Sequence, residues 1–338
     1  MSSLLPDRSG LGDVISTPTP ASGRSPVRCS GGAIRGEILG AGTGCLLRQL
    51  AHDASVPRGR AGPGEGPWIH AEFDHIGLHI FAPHQRVRAQ IHSMFRGFPV
   101  RHIYAECTAS YRIYAETNAC LGLSAEAWPQ IDGLRSASGA QFFAGPMWVG
   151  AANHATKVVI CQIGTMSQDA TIVAFRHIVS LLSRHASGSS FLCHGAGVAD
   201  AGLGYLFIGP SGAGKTTVAR RSTEQEVLGD ECVVVRRSGG RVAITGAPFG
   251  DLPGSNRTAP LRAVLCLVKG NAVHATRLSE GEGFVRLLRS QRWAVQDFGH
   301  PHGADAAWQD TLGGVPMFDL MLDLTTDFWG VVRQCAVN

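Results

Sequence analysis

Gly209-Pro-Ser-Gly-Ala-Gly-Lys-Thr216 fits the pattern G-x-x-x-x-G-K-[ST], and it lies between the apolar run Tyr205 to Ile208 and a segment, Thr217 to Arg221, that can open a helix. A strand, a tight glycine loop and a helix in that order leave few folds available. Successive backbone N–H groups can surround a dense anion only where side chains do not block the approach, hence Gly209, Gly212 and Gly214. The expected nucleotide-binding set is Gly209, Pro210, Ser211, Gly212, Ala213, Gly214, Lys215, Thr216 and Thr217. Lys215 would bring a full positive charge to the outer phosphates, and the Thr216 hydroxyl would ligate Mg2+. Lysine occurs only at Lys157, Lys215 and Lys269, so one inside the glycine loop departs from the arginine-rich habit of the chain.

The second constraint follows after a polar turn. Val227-Leu-Gly-Asp230-Glu231 reads as a short strand ending in two acids, the place where such proteins keep metal or base carboxylates. Asp230, Glu231 and Thr216 are therefore the expected metal ligands. Asp251-Leu-Pro-Gly254 imitates a GTPase D-x-x-G element, but no [NT]-K-x-D tetrad accompanies it, and Gly246 and Pro248 interrupt the strand that should deliver the aspartate. ATP is favoured on that ground.

With these features in place, Cys193 to Val235 resembles the HPr kinase/phosphorylase family and, more broadly, its superfamily with ATP-dependent phosphoenolpyruvate carboxykinases. The resemblance is carried by His194-Gly195, the turn Asp200 to Gly204, the strand Tyr205 to Ile208, the loop Gly209 to Thr217 and the pair Asp230-Glu231. Gly313 to Leu320 looks like a late strand of the same group. The resemblance implies that Asp230 is the general base on a substrate hydroxyl, that Glu231 helps hold Mg2+ and that His194 lines the site, making Asp230, Lys215 and His194 the catalytic set. Two departures stand out: Thr216-Thr217 where family kinases carry Ser-Glu, and Asp-Glu where they carry Asp-Asp. The implied activity is an ATP- and Mg-dependent kinase that passes the γ-phosphoryl group to a hydroxyl, foremost a protein or peptide Ser/Thr. A nucleotide-dependent regulatory switch and a small-molecule kinase are the alternatives.

Around that centre the chain divides by composition. Residues 1–66 are rich in Gly, Pro, Ser and Arg and predict a loosely ordered arm. Residues 67–186 predict an α+β domain, with strands over 76–81 and 158–163 and an amphipathic helix over about 168–184. The polar stretch His185 to Ser190 predicts a break, and 187–338 the α/β P-loop kinase domain. Gly246 to Thr258 reads as a surface loop that could form a lid, with Arg257 a candidate phosphate clamp. Arg286, Arg289 and Arg292 read as a solvated helix face, and His300-Pro-His302 as a polar loop rather than a zinc site.

A formal charge of +4 over 338 residues makes no case for nucleic acid or an anionic membrane. Nine cysteines without a C-x-x-C pair predict reduced thiols in a cytoplasmic protein. No apolar run approaches the roughly 20 residues of a membrane span. The expected partners are ATP and a hydroxyl-bearing acceptor, and a homo-oligomer is left open.

Overall fold

The computed structural model describes residues 41–55, 67–98, 109–118, 134–145, 147–164, 169–187, 189–291, 304–323 and 327–335. Among these residues the chain is a mixed α/β protein with two sheets, one of six strands and one of nine. No helix among them is long and apolar enough to cross a membrane.

The first sheet has the order β1-β2-β3-β6-β5-β4. Its strands are β1 (Trp68–Phe73), β2 (Ile76–Phe81), β3 (Ala109–Asn118), β4 (Gln141–Gly145), β5 (Trp148–Asn153) and β6 (Val158–Gly164). In β1 and β2 buried residues alternate with half-buried or exposed ones, as a half-covered pair should, whereas all six residues of β5 are buried because helices cover both its faces. Helix α1 (Ala41–Ser55) lies on one face, with Leu47, Leu50 and Ala54 buried against Phe142, Val149 and Ile160. The stretch expected to be a loose arm thus contains an ordered helix, because Leu47, Leu50 and Ala51 recur at helical spacing; residues 1–40 and 56–66 lie outside the described set. Helices α2 (Gln85–Met94) and α3 (Ala170–Ser187) cover the other face.

The second sheet has the order β10-β8-β9-β13-β12-β11-β7, with β15 added to β13 and β14 to β15. Here β7 is Ser190–His194, β8 Ala196–Asp200, β9 Leu203–Ile208, β10 Glu226–Gly229, β11 Cys232–Ser238, β12 Arg241–Gly246, β13 Thr258–Lys269, β14 His274–Arg277 and β15 Met317–Leu322. Strand β13 organises it: its first residues pair with β12, and its later ones run parallel to β9 and β15. Ala263 to Leu267 are accordingly an unbroken buried run, the signature of a parallel strand covered on both faces. Helices α4 (Lys215–Arg221) and α7 (Trp329–Cys335) pack on one side, α5 (Glu280–Ser290) and α6 (Ala304–Leu312) on the other.

The break expected at 185–190 is only a short connection, since α3 runs to Ser187 and β7 starts at Ser190. One apolar cluster spans it: Phe175, Ile178 and Leu182 of α3 meet Leu192, Cys232 and Val234 of the second sheet and Phe73, Ile80 and Ile163 of the first. Polar contacts reinforce the junction. The β1–β2 turn, Asp74-His75, has both residues in the left-handed region, with φ 47° and 61°. The Asp74 N–H donates to Asn256 Oδ1 at 3.0 Å, and its carboxylate meets Arg236 at 3.0 Å.

Candidate functional site

Strand β9 delivers the glycine loop at the C-terminal end of a parallel set, where α/β sheets gather their ligands. Gly212 and Gly214 have φ 76° and 108°, which only glycine adopts without strain. A side chain at Gly209 would strike Ala213 Cβ at 2.8 Å. Pro210, Ser211 and Gly212 are exposed, while Ala213 N–H donates to Pro210 O at 3.1 Å and closes the turn. Thr216 and Thr217, in the first turn of α4, are half-buried.

Lys215 begins that helix and is only 7% exposed. Its Nζ donates to Gly209 O at 2.9 Å and Pro210 O at 3.1 Å, so the loop's own carbonyls hold the ammonium over the loop. Burial pulls its pKa below the ordinary lysine range, while Cys193 and Glu231 act in the opposite direction.

The acidic pair follows β10. Asp230 is 1% exposed, and its Oδ1 accepts from the Leu252 N–H at 3.3 Å. Burial raises its pKa above the usual carboxylate value, the Leu252 bond opposing and the nearby Asp251 adding to the rise. The loop 248–254 passes directly over it: a Cβ on Gly250, whose φ is 149°, would fall 2.0 Å from Asp230 Oδ1. Glu231 is half-buried, and its carboxylate forms an ion pair with Arg176 of α3.

His194 ends β7 and pairs with Cys232 in register. Gln291 holds its backbone from both sides, accepting from the His194 N–H at 2.6 Å and donating to its carbonyl at 3.0 Å. Burial, then Lys215 and Arg176, lower the His194 pKa to about 4, against a hydrogen bond with Ser290 O. Its ring is therefore neutral near pH 7.

The structure thus gathers Lys215, Glu231 and His194 into one electrostatic group, with Asp230 beside Glu231 under the 248–254 loop. Arg257 stands apart: it is exposed and paired with Glu226 at 2.9 Å, so the candidate clamp is an ordinary surface ion pair. Asp251 lies in the covering loop, 3.5 Å from Arg220, rather than at a strand end. Arg286 is engaged by Asp319 at 2.8 Å, whereas Arg292 and His300 to His302 lie outside the described residues. Among the described residues no three His, Cys, Asp or Glu side chains converge as metal ligands. A divalent ion here would draw on Thr216, Asp230 and Glu231, the last already held by Arg176.

Arg176, Phe249 and Gln291 carry parts of the site that motif reading missed. Arg176 lies in an amphipathic helix whose period marks only the apolar face, and Gln291 acts through backbone bonds, so neither has a local signature. Two openings flank the group. One, about 940 Å³, is lined by the loop residues 209–213 with Lys269, Arg286, Arg289 and Asp319. The other, about 300 Å³, lies between α2, α3, Glu231 and the loop 248–254, and includes Arg96 and Arg176.

No curated protein matches the chain. Among solved structures it is similar to the Hpr(Ser) kinase/phosphatase from Coxiella burnetii, at 13% identity over 33% of this chain and 99% of that one, with a TM-score of 0.20. That score is too low to decide fold or activity. The family model of the SynChlorMet cassette protein ScmC matches residues 159–338, more than half of the chain and every residue of the gathered group, and the chain belongs to that family.

Proposed function

We propose that this chain is a P-loop phosphotransferase of the HPr-kinase type that takes ATP with Mg2+ and passes the γ-phosphoryl group to a hydroxyl, foremost a protein or peptide Ser/Thr. The observation that carries the reading is the buried Lys215 ammonium held over a glycine loop, within electrostatic reach of Glu231.

The loop fits an anion for a reason independent of its motif. A lysine with little solvent contact, and carbonyl oxygens as its hydrogen-bond acceptors, sits beside a turn in which Gly212 is exposed and both Gly212 and Gly214 take left-handed φ. Bound there, ATP with Mg2+ supplies the phosphoryl group and neutralises the charge that develops on it. Lys215, with Gly209 to Thr217, would hold the phosphates, and Thr216 and Glu231 the metal. Asp230 would take the proton from the acceptor hydroxyl, its raised pKa bringing it closer to the range of an effective base. A neutral His194 lines the site without adding a charge that would compete with Lys215. The cleft of about 300 Å³ that Glu231 helps to line would give an acceptor its approach. The free, buried thiols Cys161, Cys193, Cys232, Cys266 and Cys335 support a reducing, cytoplasmic setting.

The test is incubation of the full chain with γ-labelled ATP and Mg2+ in extract, beside Asp230→Asn. A labelled acceptor is expected with the native chain, and one weaker by about 100- to 10,000-fold with the variant. Label released only as free phosphate supports a nucleotide switch in place of a kinase, and absence of nucleotide binding removes both.

A further inference from the structure

Glu231 is contested by two parts of the chain. Its carboxylate is ion-paired with Arg176, which belongs to α3 and so to the helical layer under the first sheet. It also lies in the field of Lys215, at the start of α4 on the second sheet. Arg176 is not loosely placed: its guanidinium lies 5.8 Å from the centre of the Phe249 ring, and Arg176, Phe249 and Glu231 all line the cleft of about 300 Å³. A carboxylate committed to a guanidinium has fewer lone pairs to offer a hard dication, so metal and arginine compete for it.

We propose that Arg176 is a positioning residue that withholds Glu231 from the metal accompanying the nucleotide, so that α3 sets how strongly Mg2+ assists nucleotide binding. This rests on the nucleotide reading above. The apparent affinity for the metal is reduced by the fraction of molecules in which Glu231 is free of Arg176. Because coupling is reciprocal, Mg-nucleotide must in turn loosen α3 from the site. Removing an arginine that contacts phosphate weakens nucleotide binding with and without metal, whereas removing one that sequesters a metal ligand strengthens the Mg-dependent part.

The experiment titrates mant-ATP into the full chain in Mg2+ and in EDTA, for the native protein, Arg176→Gln, Arg176→Lys and Glu231→Gln, with thermal unfolding of each recorded. The ratio of the EDTA Kd to the Mg2+ Kd is expected to rise about five- to tenfold in Arg176→Gln, the lower range of ordinary coupling. It should return towards the native value in Arg176→Lys, which restores the charge, and fall close to one in Glu231→Gln. An unchanged or smaller ratio in Arg176→Gln overturns the proposal, as does weaker binding in both conditions. Should Arg176→Gln fail to unfold cooperatively, Phe249→Leu removes the ring beside the guanidinium and leaves both charges. It should raise the ratio about twofold, and no movement there overturns the proposal. A native chain that binds no mant-ATP in either condition overturns the nucleotide reading itself, while binding with an unmoved ratio overturns the role of Arg176 alone.

Discussion

Lys215 keeps its ammonium almost wholly covered, with two carbonyl oxygens as hydrogen-bond acceptors, an arrangement that favours an anion more than it favours the fold. On the proposed function, Lys215→Ala is therefore expected to lower phosphoryl transfer by about 100- to 1,000-fold or more while thermal unfolding stays cooperative and no lower in temperature. Single-turnover assay and calorimetry check this together. Asp230 carries the converse signature. Its folded pKa is raised by burial, so the proton it retains stabilises the fold below the ordinary value of 3.8, and that contribution is lost as pH climbs through the raised pKa. Asp230→Asn should accordingly be more stable than the native chain at pH 7, with the gain shrinking in acid. Denaturant midpoints at pH 7 and pH 3.5 decide it.

Two histidines work the other way. His194 and His154 each have a pKa lowered to about 4 from 6.5, chiefly by burial, so the unfolded chain binds more protons between those values. Stability should therefore fall as pH drops from 6.5 to 4. A shallower fall in the double variant His154→Gln/His194→Gln, followed by melting temperature, is the expected result. The glycine loop and the acids after it were legible as candidates because their spacing has a local chemical reason. Arg176 and Gln291 were missed because their partners are 55 and 97 positions away in sequence.

At the scale of elements, the strand Tyr205 to Ile208 and the helix after the loop were legible because hydrophobic runs and loop chemistry point the same way. Helix α5 shows how far a local signal can reach. Ser279 accepts from the Glu282 N–H at 3.4 Å while Glu282 returns a bond to the Ser279 N–H at 2.9 Å, a complete capping box. Ser279→Ala should cost about 1 kcal/mol, read from urea unfolding, with nucleotide binding unchanged. The double role of β13, by contrast, was not legible. Its 12 residues pair first with β12 and then with β9 and β15 together, and only the alternation in its first half against the buried run in its second hints at two environments.

Among the described residues the two sheets share a core, and the turn after α2 meets the loop after β12 at one wall of the cleft. A Cβ on Gly97, just after α2, would fall 2.2 Å from Gly254 O in the loop that covers Asp230. Gly97→Ala is expected to destabilise by about 1–3 kcal/mol and, on the proposed function, to weaken acceptor use more than nucleotide binding, since it forces apart the walls of the cleft and spares the glycine loop. Denaturant unfolding and mant-ATP titration separate the two effects. What the amino-acid sequence determined by itself is local: a glycine loop between a strand and a helix, an acid pair soon after it, and the periods of the helices and strands, because each depends on neighbours a few residues apart. Tertiary structure alone decided that α3 brings Arg176 to Glu231, that the loop 248–254 covers Asp230, and that a helix from the expected arm packs on the first sheet. Those contacts join residues far apart in the chain, and only the way the layers bury their apolar faces together sets which of them meet.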